Sequence, residues 1–151
     1  MDDPFNLARF VVAQDAIYDV ALSEIRGGKK RSHWMWFVFP QIAGLGLSPM
    51  SARYAIASVD EARAYLDHPL LGARYHECVE ALQSLPMNDA RTVFGYIDAQ
   101  KLWSSLTLFS VVRHDRLFEA ALNRWFGGQH DEATLRLLHV AGAKADGGEP
   151  H

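Results

Sequence analysis

Arg31-Ser-His-Trp-Met-Trp-Phe-Val-Phe-Pro-Gln41 is the stretch whose reading decides the fold. Its inner part, Trp34 to Phe39, is apolar at every position. A segment with no polar face is buried on all sides, either as a short helix or as a strand. Its aromatic and branched residues favour a strand. A strand needs a partner, however, and the chain offers only Arg53-Tyr-Ala-Ile-Ala57. The stretch therefore reads as a short buried helix, with a small two-stranded element as the alternative. Pro40 ends either one. The Trp and Phe side chains are first of all core. A buried indole N–H needs an acceptor, so one edge of the cluster must meet polar groups.

The flanking chain is helical in pattern. Asp2 or Asp3 caps a first helix with Pro4 at its first position. Leu7, Phe10, Val11, Ile17, Tyr18, Ala21 and Ile25 follow at helical spacing, and Gly27-Gly28 ends it. Beyond Gln41, the run Gly44 to Ser51 is too rich in glycine for a helix, and Ser48-Pro49 marks a turn. Ser58-Val-Asp-Glu61 is a capping box for a helix to about Leu66. His68-Pro69 opens another, with Leu71, Cys78, Leu82 and Leu85 on its apolar side. Asn88 caps a short helix to Phe94, ended by Gly95, and a longer one runs from about Ile97 to Arg113. Asp115 caps the next helix, Gly127-Gly128 ends it, and Asp131 caps the last. The expected fold class is all-α: a compact single-domain bundle of about seven helices with short connections. Residues 1–140 form the domain. Residues 141–151 read as a C-terminal tail, since nothing apolar remains there to pack.

Composition narrows the function classes. A chain of 151 residues fits one domain with a core of its own. Its net charge of −3 supplies no general field to attract nucleic acid or an anionic membrane. The single cysteine, Cys78, allows no internal disulfide and fits a reducing compartment. Asp2 and Asp3 replace the basic start of a signal peptide, and no apolar run approaches the ~20 residues that span a bilayer. A cytoplasmic protein is expected. The sequence sets no oligomeric state.

Several polar groups invite a chemical reading. Lys29-Lys30-Arg31 follows Gly27-Gly28, but the spacing of a phosphate loop is absent and a helix precedes. The run is either a solvated loop or part of an anion site beside aromatics. Asp15 and Asp19 share a helix face and read as surface charges. His68 and His76 have no companions to complete a metal site, so no metal or cofactor is assigned. Cys78, inside an amphipathic helix, reads as a small buried hydrophobe. Asp98, Lys101 and Ser105 share one face of the long helix. An exposed Asp98–Lys101 pair contributes only ~0.3 kcal/mol. If half-buried, the pair becomes an anion ligand with its partner carboxylate.

The motifs His33-Trp-Met-Trp-Phe-Val-Phe-Pro-Gln41, Gly44-Leu-Gly46, Ser51-x-x-Tyr54, Ala62-x-x-Tyr65-Leu66 and His68-Pro69-x-x-Gly72 resemble domain-of-unknown-function family 1810. So do Phe94-Gly95, Asp98-x-x-Lys101-x-x-Ser104-Ser105-x-Thr107-Leu-Phe109 and Thr134-Leu135. The resemblance spans Phe5 to Leu138. It implies a mostly helical single domain and no established activity. Proteins of this kind are sometimes labelled calpastatin-like. Calpastatin's inhibitory segments are disordered, whereas a chain this rich in Trp, Phe and Leu has its own core. The combination of an aromatic helix, a nearby cation and a carboxylate is similar in kind to the NADAR proteins, which are linked to ADP-ribose chemistry. That analogy transfers no residue roles.

These readings define two functional expectations. In the first, the chain binds or hydrolyses a small anionic ligand, nucleotide- or ADP-ribose-like, in one polar-aromatic pocket. Lys30, Arg31 and Lys101 would hold the charge, and Trp36 or Tyr54 would stack. Asp98 would take a ribose hydroxyl or act as base, with Asp98 and Lys101 the catalytic candidates. His33, Gln41, Ser51 and Ser104 complete the ligand-binding set. In the second, the chain is a non-catalytic interaction or oligomerisation module whose polar residues merely satisfy one another.

Overall fold

Why does one helix sit at the centre of this fold? The segment from Leu102 to Ser110 has no polar face: Leu102, Leu106, Leu108 and Phe109 are buried, as are Ser104, Ser105, Thr107 and Ser110. A helix wrapped by apolar contact on every side is an axial helix, not a surface one. The computed structural model describes residues 2–145 and has nine helices among them. The central helix is α7 (Ala90–Val112). Before it come α1 (Ala8–Asp15), α2 (Tyr18–Arg26), α3 (Met35–Val38), α4 (Pro49–Arg53), α5 (Val59–Asp67) and α6 (Leu71–Gln83). After it come α8 (Arg116–Phe126) and α9 (Glu132–Ala145). α7 packs against α3, α5, α8 and α9, while α6 closes the other side against α2, α5 and α8.

The all-α expectation holds, with nine helices rather than about seven. The first predicted helix is two. Ile17, at φ −140°, breaks the path between α1 and α2. No glycine or proline marks the break. It lets α1 pack on α3 while α2 turns to α6. Trp34–Phe39 contains the short helix α3, not a strand. The two-stranded alternative shrinks to a single parallel bridge between Ile42 and Ile56. The run read as a turn holds α4, because Ser48 accepts the Ser51 amide at its N-terminus and Pro49 fits its first position. Asp89, not Asn88, caps α7. The two helices expected on either side of Gly95 are both present as the two arms of α7, interrupted at that residue by a non-helical backbone. Gly95 holds φ 81° and ψ 168°, a conformation other residues reach only at high cost.

Two caps act as read, whereas α1 starts at Ala8 rather than near Pro4 and α6 at Leu71 rather than at Pro69. Ser58 caps α5 by accepting the Glu61 amide, and Asp115 caps α8 through Leu117 N. His68 Nδ1 accepts from the Leu70 and Leu71 amides at the start of α6. Helix α9 runs to Ala145; residues 146–151 of the predicted tail lie outside the described residues.

The core is an aromatic lattice. Tyr75 sits at its centre, with Phe109 at 4.6 Å, Phe118 at 5.3 Å and Phe39 at 5.6 Å between ring centroids. Its hydroxyl pairs with Ser105 Oγ at 2.9 Å, so the polar end is satisfied where water is absent. Buried Gln14 ties α1 inward by donating to the Phe37 carbonyl at 2.6 Å. Buried Glu61 accepts from Arg9 at 2.8 Å, locking α5 to α1.

Candidate functional site

The basic run Lys29-Lys30-Arg31 is tied back to Glu24, whose carbonyl accepts the Lys29 amide at 3.1 Å. One carboxylate oxygen of Glu24 accepts the Arg31 and Ser32 amides and the Trp34 indole N–H, each at 2.9 Å. The other accepts the Ser32 hydroxyl at 2.6 Å. Partial burial alone would raise the Glu24 carboxyl. The hydrogen bonds from Ser32, Arg31 and Trp34 outweigh it and lower it to about 2. This is the polar edge that the buried Trp34 requires.

The clamp sets which way each basic side chain faces. Lys30 turns inward, its backbone amide on the Val93 carbonyl at 2.7 Å. Its ammonium lies 2.6 Å from the Ser32 carbonyl and 2.8 Å from Asp98 Oδ2, and its side chain is only 8% exposed. Arg31 and His33 turn outward and are exposed. Neither borders the cavities described below. The structure thus brings Lys30 to Asp98 and leaves Arg31 and His33 apart from them.

Asp98 and Lys101 lie one turn apart on α7, just beyond the bend at Gly95. Lys101 Nζ is 3.6 Å from Asp98 Oδ1 and 4.7 Å from the centroid of the Trp36 ring. Its side chain is 18% exposed. Among the described residues these are its only charged and aromatic partners, and neither is a hydrogen bond. The two lysines therefore differ. Lys30 is engaged by the protein, whereas Lys101 keeps its donors free above an indole face.

Two adjoining cavities meet at this point. One, of about 190 Å³, is bordered by Trp36, Gln41, Ser51 and Tyr54. The other, of about 360 Å³, is bordered by Gln41, Ser51, Lys101 and Ser104. Gln41 and Ser51 belong to both, so the two form one cleft. Tyr54 borders the smaller cavity but is buried, its ring against Phe37 at 5.3 Å and Phe10 at 5.9 Å. Six of the predicted ligand residues, Trp36, Gln41, Ser51, Tyr54, Lys101 and Ser104, thus converge on the cleft. Asp98 stands behind it as the partner of both lysines.

Ser104 has a structural bond as well. Its hydroxyl donates to Asp131 Oδ2 at 2.6 Å, which also accepts the Thr134 hydroxyl at 2.7 Å. Asp131 N is bound by Thr107 Oγ1 at 3.0 Å. The sequence marks Asp131 as the cap of the last helix but gives no sign that it borders the cleft. Glu24 was equally hidden as a positioning residue, though its place one turn before Gly27-Gly28 lets it reach back over the chain reversal. Among the described residues no group of three or more His, Cys, Asp or Glu is arranged to hold a metal ion. No helix among them is long and apolar enough to cross a membrane.

Fold and cleft together define a small all-helical domain with a lysine set over an indole. The chain belongs to a family described as protein of unknown function, DUF1810, whose profile matches residues 4–138. It is similar to the crystal structure of the conserved hypothetical protein Rv1873 from Mycobacterium tuberculosis. The two are 47% identical with a TM-score of 0.89, over 91% of this chain and 99% of that one. No curated protein matches.

Proposed function

We propose that the protein binds a small anionic ligand of the nucleotide or ADP-ribose kind in the cleft bordered by Lys101, Trp36, Gln41 and Ser51. The carrying observation is Lys101: a half-buried ammonium, 4.7 Å over Trp36, with no hydrogen bond within the described protein. Lys30 and Lys101 flank the one carboxylate of Asp98, and because Lys30 is turned inward, Lys101 is the cation that borders the cleft. Lys101 would take a phosphoryl oxygen, and Gln41 and Ser51 would reach sugar hydroxyls. Lys30 holds Asp98 Oδ2 and Lys101 lies 3.6 Å from Oδ1, so Asp98 would take a ribose hydroxyl or an attacking water through Oδ1 once Lys101 swings to the ligand's phosphoryl group. Hydrolysis of an N-glycosidic bond is the reaction to assay. Thermal unfolding with ADP-ribose, ADP, AMP and inorganic phosphate tests the proposal. At a hundredfold excess over Kd, binding stabilises by ~2.7 kcal/mol and raises Tm by about 5–10 °C. Lys101→Ala should abolish most of that rise. If no anion moves Tm, or the variant responds as the parent does, the proposal fails.

One observation favours the second reading, an interaction module. Leu47, Tyr96 and Ile97 are 99%, 62% and 70% exposed, and the last two stand at the mouth of the cleft. Concentration-dependent sedimentation, lost in Ile97→Ser, would support a self-associating surface there.

A further inference from the structure

The cleft does not end at Lys101. Tyr96 and Gln100, one turn apart on α7, border it and also border a further cavity of about 400 Å³. The helix explains the division. Ala99 and Trp103 lie to one side of the Tyr96–Gln100 ridge, and Lys101 and Ser104 to the other. The larger cavity is aromatic. Trp103 and Phe126 form one wall, their centroids 6.1 Å apart and their planes inclined at 26°. Elsewhere in the core, aromatic pairs are tilted or edge-on, as Tyr65 and Phe109 are at 32° and Tyr75 and Phe118 at 90°. Here the stacked pair is only partly buried and borders the cavity.

The wall is also fixed and stripped of donors. Trp103 Nε1 donates to the Gln129 carbonyl at 2.8 Å, and Trp125 Nε1 to Gln83 Oε1 at 2.9 Å. What these indoles offer the cavity is carbon surface and π-face. The polar groups come from elsewhere: Asp89 and Arg91 border the same space, Arg91 5.0 Å over the Tyr96 ring, as do the side-chain amides of Asn88 and Gln100, which have no hydrogen-bond partner among the described residues. A rigid aromatic wall opposed by amides, each both donor and acceptor, suits a planar heteroaromatic ring with polar edges.

We propose that this cavity is the base subsite, and that the ligand is two-ended: a nucleoside diphosphate sugar whose base lies against Trp103 and whose phosphoryl and sugar groups reach over the ridge to Lys101. This rests on the reading of the Lys101 cleft and narrows it. A bare phosphate or sugar phosphate fills only half of the site.

Calorimetric titration of the full chain with ADP-ribose, ribose 5-phosphate and adenosine tests it. ADP-ribose should bind at least tenfold tighter than ribose 5-phosphate. Trp103→Leu should reduce that ratio below threefold and leave ribose 5-phosphate unchanged, whereas Lys101→Ala should weaken both phosphates and spare adenosine. Should Trp103→Leu fail to fold, Asn88→Ala and Gln100→Ala, both at exposed positions, make the same comparison. Equal affinity for the two phosphates overturns the base subsite and leaves the Lys101 reading standing. A tenfold ratio unchanged by every cavity variant overturns its location. Binding of neither phosphate overturns both.

Discussion

Lys30 and Asp98, remote in sequence, meet at 2.8 Å, with 8% and 20% of their side chains exposed. This ion pair fastens the basic loop to α7 and aims Asp98. Removing one partner of a largely buried pair leaves the other charge without compensation. Asp98→Asn is expected to lower stability by about 2 kcal/mol, read as the urea midpoint. A double-mutant cycle with Lys30→Met should give a coupling of about 1–3 kcal/mol. A coupling near zero would show that the contact holds nothing in place.

Glu24 makes stability depend on pH in a defined direction. Its folded carboxyl is lowered from 4.5 to about 2, so its contribution is complete above about pH 4.5. That contribution drains away as the pH falls from there toward 2. Glu24→Gln should therefore be less stable than the parent by about 2 kcal/mol at pH 7, since charge-assisted bonds to Arg31, Ser32 and Trp34 are weakened. The gap should close on acidification to pH 2.5. Urea titrations at pH 7, 4.5, 3.5 and 2.5 would measure it. A gap that does not vary with pH would contradict this account of the clamp.

Gly72 permits the close approach of α5 and α6. A Cβ there would lie 2.1 Å from the Leu66 carbonyl oxygen, which is backbone and cannot swing aside. Gly72→Ala should destabilise by about 2–3 kcal/mol through overpacking. A midpoint unchanged within error would mean that the α5–α6 corner yields more readily than its geometry indicates.

Cys78 is fully buried, and burial pushes its thiol up to about 12. Only the thiolate reacts, so alkylation by iodoacetamide at pH 8 should be slower than for a free thiol by roughly a thousandfold or more. It should become fast in denaturant. Rapid labelling of the native chain would count against the buried reading.

Much of the fold was legible because its local chemistry is self-contained. Ser58, Asp115 and the paired glycines after Phe126 act through neighbours a few residues away, and the bend at Gly95 was visible as a helix end. The break between α1 and α2 was not legible. It falls at Ala16 and Ile17, residues with no aversion to helix, and comes from the different partners of the two halves. Pro49 misled because a glycine-rich neighbourhood hid its role as a first helical residue.

The candidate site was legible in part for the same reason. Helical spacing alone puts Asp98 and Lys101 on one face. Which basic side chain meets them depends on how Glu24 holds the loop, and the clamp selects Lys30 over Arg31. The cavity at Trp103 and Phe126 was invisible, since both occupy apolar helix positions that read as core. Only the packed structure shows that both border a cavity.

Asp131 has one more consequence. It caps α9, accepts the Ser104 and Thr134 hydroxyls, and borders the Lys101 cleft. A molecule in the cleft would touch the residue that starts the final helix, so occupancy and fraying of that helix draw on one equilibrium. Backbone amides of α9 would then exchange with solvent deuterium more slowly when the cleft is filled. The end of the chain becomes a built-in reporter of ligand, readable without knowing what the ligand is.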